Sequence, residues 1–115
     1  MHGLPPKFRA SVFVGKNFEL VSFSENTVHF QFEGRVSVTA QAAYFVKHGG
    51  KSREEKVPGQ SSSAMALLGK IVRLADSQSN GTLNLTFGEG EALGFRDIPQ
   101  YESYTLTIGD EEIFV

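Results

Sequence analysis

The sequence predicts a mainly β protein, or a β-rich α+β protein, folded as a single domain over residues 1–115. Short segments with alternating apolar and polar residues follow one another, separated by glycine-containing turns, which is typical of antiparallel strands. In addition, residues 67–108 resemble a second copy of residues 12–46. One such copy cannot bury its apolar face alone. We therefore expect two β-meander repeats that form a roll, a sandwich or a partly open barrel.

The internal repeat is defined by matched positions in the two copies. Residues 15–16 (Gly-Lys) match residues 69–70, and Leu20 matches Leu74, at a spacing of 54 residues. The spacing grows to 55 in the next strand and to 57 beyond it, because the second copy has a longer turn. Phe is the dominant aromatic residue, and the ten Phe side chains are expected to fill one core shared by both copies.

The first copy is predicted to contain four strands after an extended lead-in at residues 8–14. The predicted strands are 17–23, 27–33, 35–40 and 42–46. The second of them alternates most clearly, which places Val28, Phe30 and Phe32 inside and leaves His29 and Gln31 outside.

The segment that joins the copies, residues 47–61, is polar and contains glycine and proline, so it is predicted as an exposed loop or the tip of a long hairpin. A short helix is predicted next, near residues 62–69. A serine begins it as an N-cap, and Gly69 occupies the position of a left-handed C-cap. At about two turns, such a helix must dock on the sheet to be stable.

The second copy is predicted to contain strands at 70–76, 82–87, 92–95, 101–108 and 112–115. Asn80-Gly81 is the sharpest hairpin signal in the chain, because a type I′ turn needs two residues that tolerate positive φ. The same alternation predicts a buried face and a polar face on the strand at 82–87. The buried residues are Leu83, Leu85 and Phe87, and the outward ones are Asn84 and Thr86.

The composition excludes several classes of site. There is no cysteine, so the chain has no disulfide, thiolate zinc site or cysteine nucleophile. No apolar run is long enough to span a bilayer, and the first residues lack the apolar core of a signal peptide. These observations predict a soluble, cytoplasmic protein without membrane contact. Met1-His2-Gly3 could be native or an added tag, and the sequence does not determine the oligomeric state.

The sequence contains no complete catalytic, metal or cofactor motif. Residues 50–52 (Gly-Lys-Ser) imitate the end of a phosphate-binding loop, but Phe45 stands where its first glycine belongs. The three histidines have no partner at the i+2 or i+4 spacing of metal ligands. The basic residues of the first half form no stripe for nucleic acid. The sequence therefore predicts a protein that is not an enzyme, with no catalytic residues, cofactor, metal or nucleic-acid partner.

The charge is unevenly distributed along the chain. Residues 1–66 contain eight Lys and Arg against five Glu, whereas residues 67–115 contain three Lys and Arg against eight Asp and Glu. Several acidic residues of the second half fall on two predicted hairpin tips. A solvated surface explains this distribution, and so does an acidic patch that recognises a basic protein. The candidate partner-binding residues are Glu89, Glu91, Asp110, Glu111 and Glu112.

Residues 81–93 (GTLNLTFGEGEAL) and 101–104 (YESY) carry a resemblance that covers most of the chain. The sequence resembles a family of small bacterial duplicated-hairpin proteins catalogued as a domain of unknown function, with motifs of the type G-x-L-x-L-x-F-x-D-G and Y-E-x-W. The departures are Glu89 in place of Asp and Tyr104 in place of Trp. The resemblance implies no established activity. Some small proteins of this kind are encoded beside secreted toxins and are suspected immunity proteins.

Two functions follow as hypotheses. The first is a non-enzymatic binding protein, of the immunity type, that binds a basic partner protein through its acidic surface. The alternative is a small-ligand-binding protein or enzyme with a pocket between the two repeats, towards which Tyr101, Tyr104, His29 or Arg96 would point.

Overall fold

The protein is a sandwich of two five-stranded antiparallel sheets, seen in a computed structural model that describes residues 8–57, 62–78, 81–96 and 104–115. The predicted β-rich class is confirmed, and the only helical elements within those ranges are two 3₁₀ turns. The strands are β1 (Phe18–Phe23), β2 (Val28–Phe32), β3 (Val36–Ala40), β4 (Tyr44–His48), β5 (Lys51–Glu55), β6 (Leu74–Ser77), β7 (Leu83–Gly88), β8 (Glu91–Phe95), β9 (Tyr104–Ile108) and β10 (Glu111–Phe114).

The two halves of the chain follow the same course. Sheet I has the order β1-β2-β3-β9-β10, and sheet II has the order β5-β4-β8-β7-β6. Each half therefore gives a three-stranded meander to one sheet and a two-stranded hairpin to the other. A duplicated chain would produce this arrangement, in which each half gives its hairpin to the sheet of the other half. The repeat boundaries 12–46 and 67–108 stay a prediction.

The two halves also contact each other through residues 15–18 of the first half and the equivalent residues 69–72 of the second. We call this contact the joint. Asn17 and Ile71 face each other there in an isolated antiparallel bridge. Four backbone hydrogen bonds surround this bridge: Gly15 N to Val72 O, Gly69 N to Phe18 O, Phe18 N to Lys70 O and Val72 N to Lys16 O. They form two pairs that interchange when the halves are interchanged, so the joint has local two-fold symmetry.

The core lies between the inner faces of the two sheets. Phe30 of sheet I packs edge-on against Tyr44 and Phe95 of sheet II, with ring centroids 4.9 and 5.2 Å apart. The six residues predicted to be buried are all buried, namely Val28, Phe30, Phe32, Leu83, Leu85 and Phe87. The intervening residues of β2 and β7 are more exposed than these, so the predicted register is confirmed in both strands.

Two local predictions differ from the structure in detail. The lead-in at 8–14 is not extended, because residues Ala10–Phe13 form a 3₁₀ turn. Three residues per turn bring Ala10 and Phe13 to the same buried side. The helix near 62–69 is a single 3₁₀ segment, Ser63–Leu67. The Ser62 side chain accepts a hydrogen bond from the Ala64 N–H, so the predicted serine cap is present.

The segment predicted as an exposed loop or hairpin tip, 47–61, is largely the β4–β5 hairpin, and residues 58–61 of it lie outside the described ranges. Asn80 lies outside them as well, while Gly81 has the positive φ, 98°, that a tight turn uses. In the described part of the chain, no helix has the length and apolar character needed to cross a membrane.

Candidate functional site

The five candidate acidic residues lie in two different sheets. Glu89 is in the turn between β7 and β8, and Glu91 begins β8, so both belong to sheet II. Asp110 is in the β9–β10 turn, and Glu111 and Glu112 begin β10, so these three belong to sheet I. The two tips belong to different sheets because the last hairpin crosses to the sheet of the first half.

Two of these carboxylates already have a cationic partner in the same molecule. Glu91 Oε2 lies 3.1 Å from Lys70 Nζ and 3.9 Å from His48 Nε2, and its side chain is only 22% exposed. Asp110 Oδ1 accepts a hydrogen bond from Arg35 Nη2 at 2.7 Å, where both side chains are highly exposed. An exposed pair of this kind contributes about 0–1 kcal/mol. Glu91 is therefore largely neutralised, whereas Asp110 can exchange its partner.

The acidic residues of β10 lie on an open sheet edge. β10 pairs with β9, and no other described strand pairs with it, so alternate backbone N–H and C=O groups face away from the sheet. Glu112 and Phe114 lie opposite Thr107 and Thr105, on the outer face. Phe114 is 44% exposed there. This edge thus combines free backbone groups, carboxylates and an exposed aromatic ring.

A second surface lies on the outer face of sheet II, where a shallow depression of about 160 Å³ opens over β8. Phe45 and Lys47 of β4 form one wall, and Asn84 of β7 forms the other. The Arg96 guanidinium lies 4.0 Å above the centre of the Phe45 ring. No carboxylate lines the depression among the described residues.

Apolar side chains are exposed around the joint, but they do not form one flat patch. Of the seven large apolar side chains exposed in the described ranges, six lie between Val14 and Leu20 or between Met65 and Leu74. Leu20 lies opposite Gln31 on the outer face of sheet I, and Leu74 opposite Thr86 on the outer face of sheet II. They therefore surround the joint on both sides of the sandwich.

The residues proposed for a pocket between the repeats do not converge. The Tyr104 hydroxyl is buried and donates to the Gly81 carbonyl. His29 is on the outer face of sheet I, with Nδ1 2.9 Å from Thr39 Oγ1. Arg96 is on the outer face of sheet II, and Tyr101 lies outside the described ranges. Within these ranges, no three His, Cys, Asp or Glu side chains are arranged to hold a metal ion.

The sequence model of a family described as a family of unknown function, DUF6188, matches residues 10–115. The chain belongs to the DUF6188 family. The resemblance to a domain of unknown function is thus confirmed over nearly the whole chain. No curated protein and no solved structure matches it.

One buried polar contact of this DUF6188 chain supports the fold. Tyr44 OH donates to Ser62 Oγ at 2.6 Å, and Ser62 Oγ also accepts from the Ala64 N–H at 3.0 Å. Burial raises the pKa of the Tyr44 hydroxyl, and the negative charge of Glu55 raises it further, against the lowering effect of the Ser62 hydrogen bond. This contact ties β4 to the second 3₁₀ turn.

Three features of these surfaces were not predicted from the sequence: Phe114, Phe45 and the pairing of Arg96 with Phe45. A signal for the first was present, because the hairpins 44–55 and 104–114 both begin with tyrosine and carry glycine five residues later. That likeness makes residues 111–114 the counterpart of residues 51–55, and the structure places both strands at a sheet edge. No sequence signal indicates the second surface, because Phe45 and Arg96 are distant in sequence and meet only through the pairing of β4 with β8.

Proposed function

We propose that this chain is a non-enzymatic binding protein that holds a basic partner protein along the open edge of β10. The observation that carries this proposal is the exposure of Glu111, Glu112 and Phe114 on a strand that is paired on one side only. Interfaces are rich in aromatic residues at their centre, and complementary charge selects the partner.

The chemistry of β10 defines the partner. An extended segment can add to the open edge through backbone hydrogen bonds, and its side chains provide the specificity. The β9–β10 hairpin contains three carboxylates and no lysine or arginine, so a segment rich in Lys and Arg is the complementary occupant. Phe114 offers that segment an apolar contact on the outer face, next to Glu112.

Sheet II contributes less to this surface. The charge of Glu91 is compensated by Lys70, and Glu89 is the single carboxylate of the β7–β8 turn. Asp110 can join the surface, because its exposed bond to Arg35 can be replaced by a bond to a partner cation at little cost. The acidic surface in this proposal is therefore residues 110–112, and Glu89 and Glu91 lie outside it.

An immunity protein that covers the basic surface of a toxin domain would be a binder of this kind. The support for this specific form is the resemblance to small proteins encoded beside toxins, together with the acidic edge. It gives the proposal a defined candidate, namely a basic domain encoded next to this chain.

Site-specific crosslinking tests the proposal. A photoreactive phenylalanine analogue at position 114 is expected to crosslink the partner when expressed in the native host, whereas the same analogue at Leu74, an exposed position on the edge strand β6, is not. The purified partner should then bind with an on-rate that falls steeply with salt.

Charge reversal gives the quantitative test with that purified partner. Glu111→Lys together with Glu112→Lys should slow association at least tenfold, while Glu25→Lys, an exposed residue of the β1–β2 turn, should not. Equal association rates for the double variant and the control would overturn the assignment to β10.

A further inference from the structure

We propose that the depression on the outer face of sheet II binds a small phosphate monoester with a flat organic body. This site is separate from the β10 edge and does not depend on the function proposed above. It lies over β4 and β8, where the outer-face side chains of sheet II leave a space of about 160 Å³. A cavity of about 150 Å³ is large enough for benzene.

The floor of the depression is open because β8 carries small residues there. Ala92 and Gly94 are consecutive outward positions, since Lys47 lies opposite Ala92 and Phe45 lies opposite Gly94. A Cβ atom at position 94 would lie 3.0 Å from Asn84 Oδ1, so a side chain there would displace the Asn84 amide. Glycine thus keeps the space between Phe45 and Asn84 open.

The charge of the depression fits a dianion. Lys47 and Arg96 both line it, and neither makes an ion pair with a carboxylate in the described part of the chain. The carboxylates in register on this face are Glu54, beyond Phe45, and Asp76, beyond Asn84, and neither lines the space. A phosphate monoester carries a charge of about −1.5 to −2 at neutral pH, which matches these two cations.

A cation–π contact and neutral polar groups orient the ligand. The Arg96 guanidinium lies over the Phe45 ring, and this cation–π contact limits its rotation while its N–H groups can still meet a phosphate oxygen. Ser52 and Asn84 add a hydroxyl and an amide at the rim. The Phe45 ring and the Ala92 methyl group line the same space, and a flat organic group attached to the phosphate would pack against them.

Titration of the isotopically labelled protein with phenyl phosphate, followed by amide NMR at low salt, tests this site. We expect saturable shifts confined to residues near 45–47, 52 and 92–96, with a dissociation constant of about 1 mM or tighter. Inorganic phosphate and benzoate are the two comparison ligands, because the first lacks the flat organic body and the second carries a carboxylate with a single negative charge in place of the phosphate. Both should bind at least about fivefold more weakly, since the first loses the apolar contacts and the second loses charge and hydrogen bonds.

Matched variants identify the residues. Arg96→Gln and Lys47→Gln should each weaken phenyl phosphate about tenfold, because each removes a charge-assisted hydrogen bond. Lys51→Gln removes the same charge from β5 but lies opposite His48, on the other face, and should leave the affinity unchanged. Gly94→Ala should weaken binding without changing any charge.

Three results would overturn the proposal. The first is a set of shifts spread over all exposed Lys and Arg residues, which would show general attraction of an anion. The second is an equal loss of affinity in Lys51→Gln and Arg96→Gln. The third is equal affinity for benzoate and phenyl phosphate, which would remove the phosphate from the assignment. Unchanged melting temperatures show that the variants are folded, and all four replaced residues lie at the surface or on the open floor.

Discussion

The hairpins β4–β5 and β9–β10 occupy equivalent places in the two halves but differ in charge. Both begin with a buried tyrosine, Tyr44 or Tyr104, and both turn at a glycine with nearly the same φ, 61° at Gly49 and 63° at Gly109. The outer strand then differs. β5 is exposed and begins with lysine, whereas β10 is exposed and begins with two glutamates.

The difference shows where this fold leaves residues free to change. The inner strands β4 and β9 pair with other strands on both sides, and their alternate side chains lie in the core. Packing therefore restricts which side chains these positions can accept. The outer strands β5 and β10 have one neighbour each and most of their side chains are exposed, so solubility or binding determines most of those residues. Both surfaces that we propose for binding involve these hairpins.

The largest effect is expected from Phe95→Ala, which should weaken both hairpins at once. The Phe95 ring lies 6.2 Å from Tyr44 and 5.6 Å from Tyr104, measured between ring centroids, and it is fully buried. Removing a buried phenylalanine costs about 3–5 kcal/mol, because it removes apolar contacts and leaves a cavity. Urea unfolding should show this loss in the free energy of unfolding.

Phe114→Ala is the matched control for Phe95→Ala, because Phe114 is a phenylalanine of a strand but is partly exposed. It should cost less than about 1 kcal/mol. A similar loss in both variants would contradict the distinction between packed inner strands and free outer strands.

Ser62→Ala is expected to have a smaller effect, limited to the first hairpin. Tyr44 donates to a side chain, whereas Tyr104 donates to a backbone carbonyl that no substitution removes. The variant leaves the Tyr44 hydroxyl and the Ala64 N–H without their acceptor, which should cost about 1–3 kcal/mol. Ser63→Ala, whose hydroxyl donates to Glu55, should cost less than about 1 kcal/mol in the same unfolding experiment.

A second substitution separates the two losses at Ser62. Combining Tyr44→Phe with Ser62→Ala removes the unsatisfied hydroxyl, so the double variant should be about as stable as Ser62→Ala or more stable. Strictly additive losses would show that the Tyr44 hydrogen bond does not stabilise β4 in the way described.

The pH dependence of stability should also distinguish Tyr44. Its pKa in the folded protein is raised above the ordinary value of 10.0, chiefly by burial, so the folded state keeps this proton longer than the unfolded chain. The resulting stabilisation is fully present below pH 10 and is lost as the pH rises through the folded pKa. Above pH 10 the free energy of unfolding should therefore fall less steeply in Tyr44→Phe, by at most about 1.4 kcal/mol per pH unit. Identical alkaline profiles for both proteins would exclude this contribution.

The sequence predicted the strands well wherever a period of two coincided with burial. In β2 and β7 every inward residue was identified, because a register shift of one residue would expose the whole apolar face. The lead-in was missed because its apolar residues also fit a period of two. The internal match could have corrected this error, since Ala10 and Phe13 correspond to Ala64 and Leu67 of the second 3₁₀ turn.

The binding surfaces were harder to predict, because they depend on which sheet each hairpin joins. The acidic residues Asp110, Glu111 and Glu112 were identified from charge alone, but their separation from Glu89 follows from the crossing of β9–β10 into sheet I. The ion pair of Glu91 with Lys70 depends on the joint, which links segments more than fifty residues apart. Local patterns contain no information about such long-range pairing.

The smallest effect on stability is expected when the charges of the two outer strands are exchanged. Lys51 and Glu111 each begin the outer strand of their hairpin, and both are exposed without an ion pair to any described residue. Lys51→Glu and Glu111→Lys should therefore each change the free energy of unfolding by less than about 0.5 kcal/mol.

The two variants should differ in binding, because only Glu111→Lys alters the edge proposed for a basic partner. Thermal unfolding and association rates measured on the same samples give both quantities. If the free energy of unfolding falls by more than about 1 kcal/mol in either variant, the fold restricts which residues the outer strands can carry. If Lys51→Glu speeds association by about the factor by which Glu111→Lys slows it, the partner responds to net charge rather than to β10.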